Sequence, residues 1–219
     1  MSSEVDICNL SLARLGDEAT VASIDPPEGS SQAAHCARFY PMARDTIQDM
    51  HNWWFCINRD SLALLNVTPA FGWQYAYSVP TDLVSMLGVF IPGSADDFSP
   101  QEYELEALAD GTQVVYTNVQ DAVCKYVSRE TDTAKFQPLF TDALAWLLAS
   151  MLAGPILKGE AGQQAGLSAY KMFRTVLAEA ITSDANQRKI NPTHRPDWIK
   201  DRNPTQSQVY SMVNPWAGY

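Results

Sequence analysis

Apolar residues recur at helical spacing from the start of the chain. Val5, Cys8, Leu12 and Leu15 fall at i, i+3, i+7 and i+10, which predicts a first helix with Ser3 as its N-cap and Gly16 as its stop. Asp25-Pro26-Pro27-Glu28-Gly29-Ser30 then stacks turn formers, so residues 20–31 read as a loop whose last serines can cap a second helix. In that helix Ala33, Cys36, Tyr40, Ala43, Ile47, Met50 and Trp54 recur at steps of three and four, forming one apolar stripe. Pro41 lies within it and is expected to bend it.

After Ile57 the helical period fades. Pro69, Gly72 and Pro80 punctuate a stretch rich in Trp73, Tyr75 and Tyr77, which reads as extended or loop. Short strands are expected at about 86–91, 102–105, 113–117 and 122–128, separated by turns such as Pro92-Gly93-Ser94 and Asp110-Gly111. Helical period returns at about 134–153, capped by Asp132 or Thr133, and again at 162–184, where Leu167, Tyr170, Phe173, Leu177 and Ile181 line one face. The link between them is expected from Gly154-Pro155 to Gly159. The pattern predicts a mainly helical α+β fold: an antiparallel helical bundle over residues 1–188, with a small antiparallel sheet inserted at about 86–128.

Composition changes the picture beyond Asn186. Residues 189–219 carry Pro192, Pro196, Pro204 and Pro215 among Asn, Gln and Ser, with Trp198, Tyr210 and Trp216 as isolated large side chains. Such text cannot build its own core. An extended C-terminal tail is expected, mobile alone and ordered on a partner, with these three aromatic residues as its anchors.

The chain of 219 residues carries a net charge of −10, which argues against gripping a nucleic-acid backbone, since that needs clustered Lys and Arg. No stretch approaches the ~20 uncharged apolar residues of a membrane helix, and the first residues lack a signal pattern, so no membrane association is expected. The longest apolar run, around Leu144 to Leu157, reads as a buried helix ending in a break. Cys8, Cys36, Cys56 and Cys124 are widely spread and are expected as free buried thiols.

Candidate chemistry is sparse. The glycines at 159, 162 and 166 lack the spacing and the Lys-Ser/Thr of a phosphate loop. His35, His51 and His194 have no partner at metal-ligand spacing, so no metal or other cofactor is expected. No G-x-S-x-G context marks a serine nucleophile. Glu102, Glu104 and Glu106 alternate on an expected strand, with Tyr103 and Leu105 pointing inward. Cleavage of cell-wall sugars would need two carboxylates in different environments, one of them desolvated. Three neighbours on one solvated face make an acidic surface instead.

Several stretches, taken in order, resemble the tail tubular protein A family, the head-to-tail adaptors of short-tailed and related phages. They are Leu12-Ala13-Arg14-Leu15-Gly16, Ile24-Asp25, residues 34–38, and Phe39-Tyr40-Pro41-Met42-Ala43-Arg44-Asp45. Trp53-Trp54-Phe55-Cys56 follows, with Cys56 where the family suggests alanine, then Tyr75-Ala76-Tyr77-Ser78-Val79-Pro80-Thr81-Asp82-Leu83. Tyr126-Val127-Ser128, residues 136–140 and Asp184-Ala185-Asn186 complete a resemblance that spans most of residues 4–188. It implies a non-enzymatic virion protein, made in the host cytoplasm and placed in the neck as a dodecameric ring between the portal protein and a tail tube or nozzle protein. DNA would pass through it without specific binding. The alternatives are another neck or tail completion protein, a virion-associated peptidoglycan hydrolase resting on the three glutamates, or a helical scaffold of bacterial origin.

Overall fold

The structure, a computed structural model, describes residues 2–18, 20–69, 71–94 and 99–187. Helix α1, Glu4–Arg14, begins where Ser3 and Asp6 exchange side-chain-to-backbone hydrogen bonds, a capping box that satisfies two otherwise orphaned donors. It ends where Gly16 takes φ 78° and the amides of Gly16 and Asp17 donate to Ala13 and Leu12. Its buried face is Ile7, Cys8, Ser11 and Leu12; Val5 and Leu15 only flank it.

Helix α2, Ser31–Asp49, is capped by the Ser30 hydroxyl, which accepts from the Ala33 amide at 3.1 Å. It runs on through Pro41 and buries Ala33, Cys36, Tyr40, Ala43 and Ile47, as the stripe predicts. The stripe then fails. The helix ends at Asp49, so the helical period no longer holds, and Met50 and Trp54 are exposed while Trp53 is fully buried.

Helix α3, Pro138–Leu157, starts later than expected, because Asp132 caps a separate tight turn, Thr133–Lys135, and Pro138 opens the helix proper. The expected break at Gly154-Pro155 does not occur. Proline near a helix end forfeits few bonds, and the chain turns only at Lys158 and Gly159, with φ 55° and 59°. At 20 residues α3 is long and apolar enough to cross a membrane by length and composition. Here Phe140, Ala143, Leu144, Leu148 and Leu152 are fully buried, and α3 packs on α1 and α2 as the central core helix.

Helix α4, Gly159–Asn186, buries Gly162, Ala169, Phe173, Val176, Leu177, Ala180 and Asp184. The predicted face shares Phe173 and Leu177 with it, but Leu167 and Tyr170 are 65% and 44% exposed. Close approach to α3 sets the rotation. A Cβ on Gly162 would lie 2.9 Å from the Ala153 carbonyl oxygen, and one on Gly166 3.2 Å from that of Ser150.

Six strands follow in chain order: β1 Ile57–Ser61, β2 Tyr75–Ser78, β3 Leu83–Phe90, β4 Tyr103–Ala107, β5 Gln113–Thr117 and β6 Val123–Ser128. They form two antiparallel sheets of three strands, β1-β6-β3 and β2-β5-β4. The single small sheet expected at 86–128 is therefore corrected: β1 and β2 lie before it, and there are two sheets. Isolated bridges Leu64↔Tyr77 and Val89↔Gln101 join the sheets at both edges, so edge strands meet partners instead of solvent.

Among the described residues the fold is mixed α+β, with four helices and two small sheets. Val127, Val84 and Leu87 pack one face of the first sheet against Phe55 and the helical core. Val89, Cys124 and Tyr126 pack its other face against Tyr77, Val115 and Tyr103 of the second. Ala76, Val114 and Tyr116, on the far face of the second sheet, are covered by Leu65 and Trp73. These layers make up the compact unit Met1–Ala185.

Candidate interaction surfaces

Strand β4 pairs with β5, setting Glu104 opposite Tyr116 and Glu106 opposite Val114. Glu102 and Glu104 are exposed and Glu106 is half-buried. The face is less open than a solvated sheet: the Trp73 indole lies over it and donates to Glu104 Oε2 at 3.1 Å. Tyr103 points inward as expected, with its hydroxyl donating to the Met86 carbonyl. Leu105 does not. It is 44% exposed, at a cleft of about 310 Å³ that it lines with Leu83, Val84 and Glu106. A general-acid carboxylate sits in a desolvated site, and the exposed positions of Glu102 and Glu104 are not such a site.

The buried polar contacts join elements. Asp184, with no exposed surface, accepts from His51 Nε2 at 2.9 Å and from the Trp54 amide at 3.2 Å, fastening α4 to the chain leaving α2. Gln48 pairs its amide with the backbone of Glu130 in both directions, at 2.7 and 3.1 Å. Arg14 is ion-paired with Asp142 and lies over the Trp146 ring, 4.2 Å from its centroid, tying α1 to α3.

All four cysteines are free and buried. Burial pushes the Cys56 thiol up to about 12, so it stays protonated at neutral pH and is no nucleophile. A hydrogen bond with Cys36, then burial, raises the Cys8 thiol, and the same bond lowers that of Cys36. Among the described residues no group of three or more His, Cys, Asp or Glu is placed to hold a metal ion.

Among the described residues the most exposed apolar segment is the loop between β1 and β2. Leu64, Val67 and Phe71 are 64%, 40% and 94% exposed. Its base is pinned by the Leu65 amide on Ala76 and the Ser78 amide on Ala63. Phe71 has φ 49°, a left-handed conformation that costs a bulky residue about 1–3 kcal/mol. No residue from 61 to 81 is charged. In the helical layer, a groove of about 410 Å³ between α1 and the start of α3 is lined by Leu10, Ala134, Phe136, Pro138 and Asp142, among others.

The chain matches no protein-family model and no curated protein. Of the residues singled out by sequence, Glu104 and Glu106 share one face of β4 and Glu102 lies just before the strand, whereas Trp198, Tyr210 and Trp216 lie outside the described residues. The stretch around Phe71 is expected as extended or loop, but the exposure of its apolar side chains is not. Its signal was the uncharged run containing Pro69-Ala70-Phe71-Gly72, which marks a turn exposing apolar side chains.

Proposed function

We propose that this protein is a head-to-tail adaptor of a phage virion, a structural protein and not an enzyme. Copies of it form a dodecameric ring in the neck, beneath the portal protein and above a tail tube or nozzle protein. The helices act as an antiparallel bundle, the strands as its insertion and residues 189–219 as an extended docking tail. The chain is made in the bacterial host cytoplasm.

One observation carries the reading: the order and spacing of the resembling stretches over residues 4–188. Two of them far apart in sequence, Trp53-Trp54-Phe55-Cys56 and Asp184-Ala185-Asn186, meet where Asp184 accepts from the Trp54 amide. Charge is compatible with the role. A chain of net charge −10 repels phosphate over a Debye length of ~8 Å at physiological salt, so DNA passes without adhering. In the tail, Trp198, Tyr210 and Trp216 serve as aromatic anchors for pockets on the portal or a neighbouring subunit.

Co-sedimentation with the portal protein encoded by the same genome tests this. Stoichiometric binding that disappears when the chain is cut after Asn186 is expected; absence of binding by the full chain contradicts the proposal.

A further inference from the structure

A polar seam runs between α1 and α2 inside an otherwise apolar core. On α1, Glu4 and Cys8 are one helical turn apart, and on α2 Cys36, Tyr40 and Arg44 follow at the same interval, so each set lies on one helix face. Cys8 and Cys36 are fully buried, and the Cys8 S–H donates to the Cys36 sulfur. The Tyr40 hydroxyl is buried and without a hydrogen-bond partner, close enough to Glu4, Arg44 and Cys8 for their charges to act on it. Glu4 is half-buried, so the seam reaches the surface at the start of α1. Packing requires none of this: a thiol fills space as a small apolar group does, and an unmade buried hydrogen bond costs free energy. Two thiols in contact beside a spare O–H donor suit a small polar oxidant instead.

We propose that Cys8 and Cys36 are a peroxide-sensitive thiol pair, oxidised by hydrogen peroxide to a disulfide that staples α1 to α2. Cys36 is the attacking sulfur, because the hydrogen bond from Cys8 favours its thiolate. It displaces one oxygen of the peroxide and becomes a sulfenic acid; the departing oxygen, with the Tyr40 O–H as the free donor beside it, leaves as water carrying the proton that Cys36 gave up. The Cys8 sulfur then attacks the sulfenic sulfur, the S–S bond forms, and the sulfenic hydroxyl leaves with the Cys8 proton as a second water. Two thiols thus lose two electrons and two protons to one peroxide, which is reduced to two waters. Burial selects the oxidant: local opening of α1 admits a water-sized peroxide and excludes a bulky disulfide such as oxidised glutathione. At Cys56 and Cys124 burial raises the thiol pKa, so these two stay out of the reaction. The link holds α1 to α2 in the unfolded chain as well, so the oxidised protein is the more stable one. This inference goes beyond the adaptor reading and does not rest on it.

The test treats the full-length protein with hydrogen peroxide, removes the excess with catalase, unfolds the chain in iodoacetamide and maps it by mass spectrometry after trypsin. Cleavage at Arg14 and Arg38 puts Cys8 in residues 1–14 and Cys36 in residues 15–38, so the link joins two separate peptides. Those two peptides should appear joined and two hydrogens lighter, with Cys56 and Cys124 alkylated and the melting temperature raised by about 5 °C or more. Cys8→Ala should instead leave Cys36 as a sulfenic acid that dimedone traps. Tyr40→Phe should slow the link about tenfold or more, and an unchanged rate would overturn the part given to its hydroxyl. Four alkylated cysteines after an exposure that oxidises the urea-unfolded chain would overturn the inference. So would a link to Cys56 or Cys124, a lowered melting temperature, or an equal rate with oxidised glutathione. Portal binding tests the adaptor reading separately, and either can fail alone.

Discussion

Single buried polar atoms give the clearest residue-level consequences. Among the described residues, the Tyr40 hydroxyl is the one buried side-chain polar atom without a hydrogen-bond partner, and burial raises its pKa. An unmade buried bond costs free energy, so Tyr40→Phe should change stability by less than about 0.5 kcal/mol or raise it by up to ~1 kcal/mol. Urea unfolding measures this; a loss above ~1 kcal/mol would mean that the hydroxyl is partnered after all. Asp184 is the opposite case. Asp184→Ala strips the acceptor from both His51 and the Trp54 amide and should cost about 2–4 kcal/mol, with Asp184→Asn milder because its amide oxygen still accepts. Equal, small losses for both would contradict the account of that junction. Neither residue was legible as special: Tyr40 fitted an apolar stripe, and Asp184 sat near an expected helix end.

At the scale of elements, the chain announced its helices better than their faces. Caps and stops at Ser3, Gly16 and Ser30 are local chemistry and read directly. Apolar spacing in α4 admitted two faces: the large residues Leu167 and Tyr170 suggested one, whereas the buried one runs through the small Gly162 and Ala169 before Phe173, Val176, Leu177 and Ala180, and its close approach to α3 at Gly162 and Gly166 carries no hydrophobic signal. That contact predicts opposite outcomes for similar substitutions. Gly162→Ala gains ~1 kcal/mol of helix propensity but meets the Ala153 carbonyl oxygen at 2.9 Å, and overpacking of ~1–3 kcal/mol should leave it destabilised. Gly154→Ala meets nothing within 4 Å and should stabilise by up to ~1 kcal/mol. Thermal melts of the two decide it; the same sign for both would contradict the packing. Strand β1, Ile-Asn-Arg-Asp-Ser, escaped notice because four of its five residues are polar and exposed, so pairing with β6 makes it a strand. At β4 and the residue before it, replacing Glu102, Glu104 and Glu106 together with Gln should move the melting transition little, since carboxylates open to solvent contribute little and a Gln at 104 still accepts from Trp73. A large drop would show that the strand face supports the fold.

For the whole molecule, the described core clusters run from Ile7 to Ala180. Cutting the chain after Asn186 should therefore leave the melting transition nearly unchanged while portal binding is lost; unfolding of the truncated protein would place the tail in the core. Heterologous contacts close only at a fixed angle, which a portal template supplies. The free protein should therefore be a monomer or small oligomer by light scattering. The decisive measurement is electron cryomicroscopy of the portal mixed with the full-length protein. The account predicts one closed ring of copies on one end of the portal. Portal particles with no added ring, or an equally closed ring formed without the portal, would contradict it.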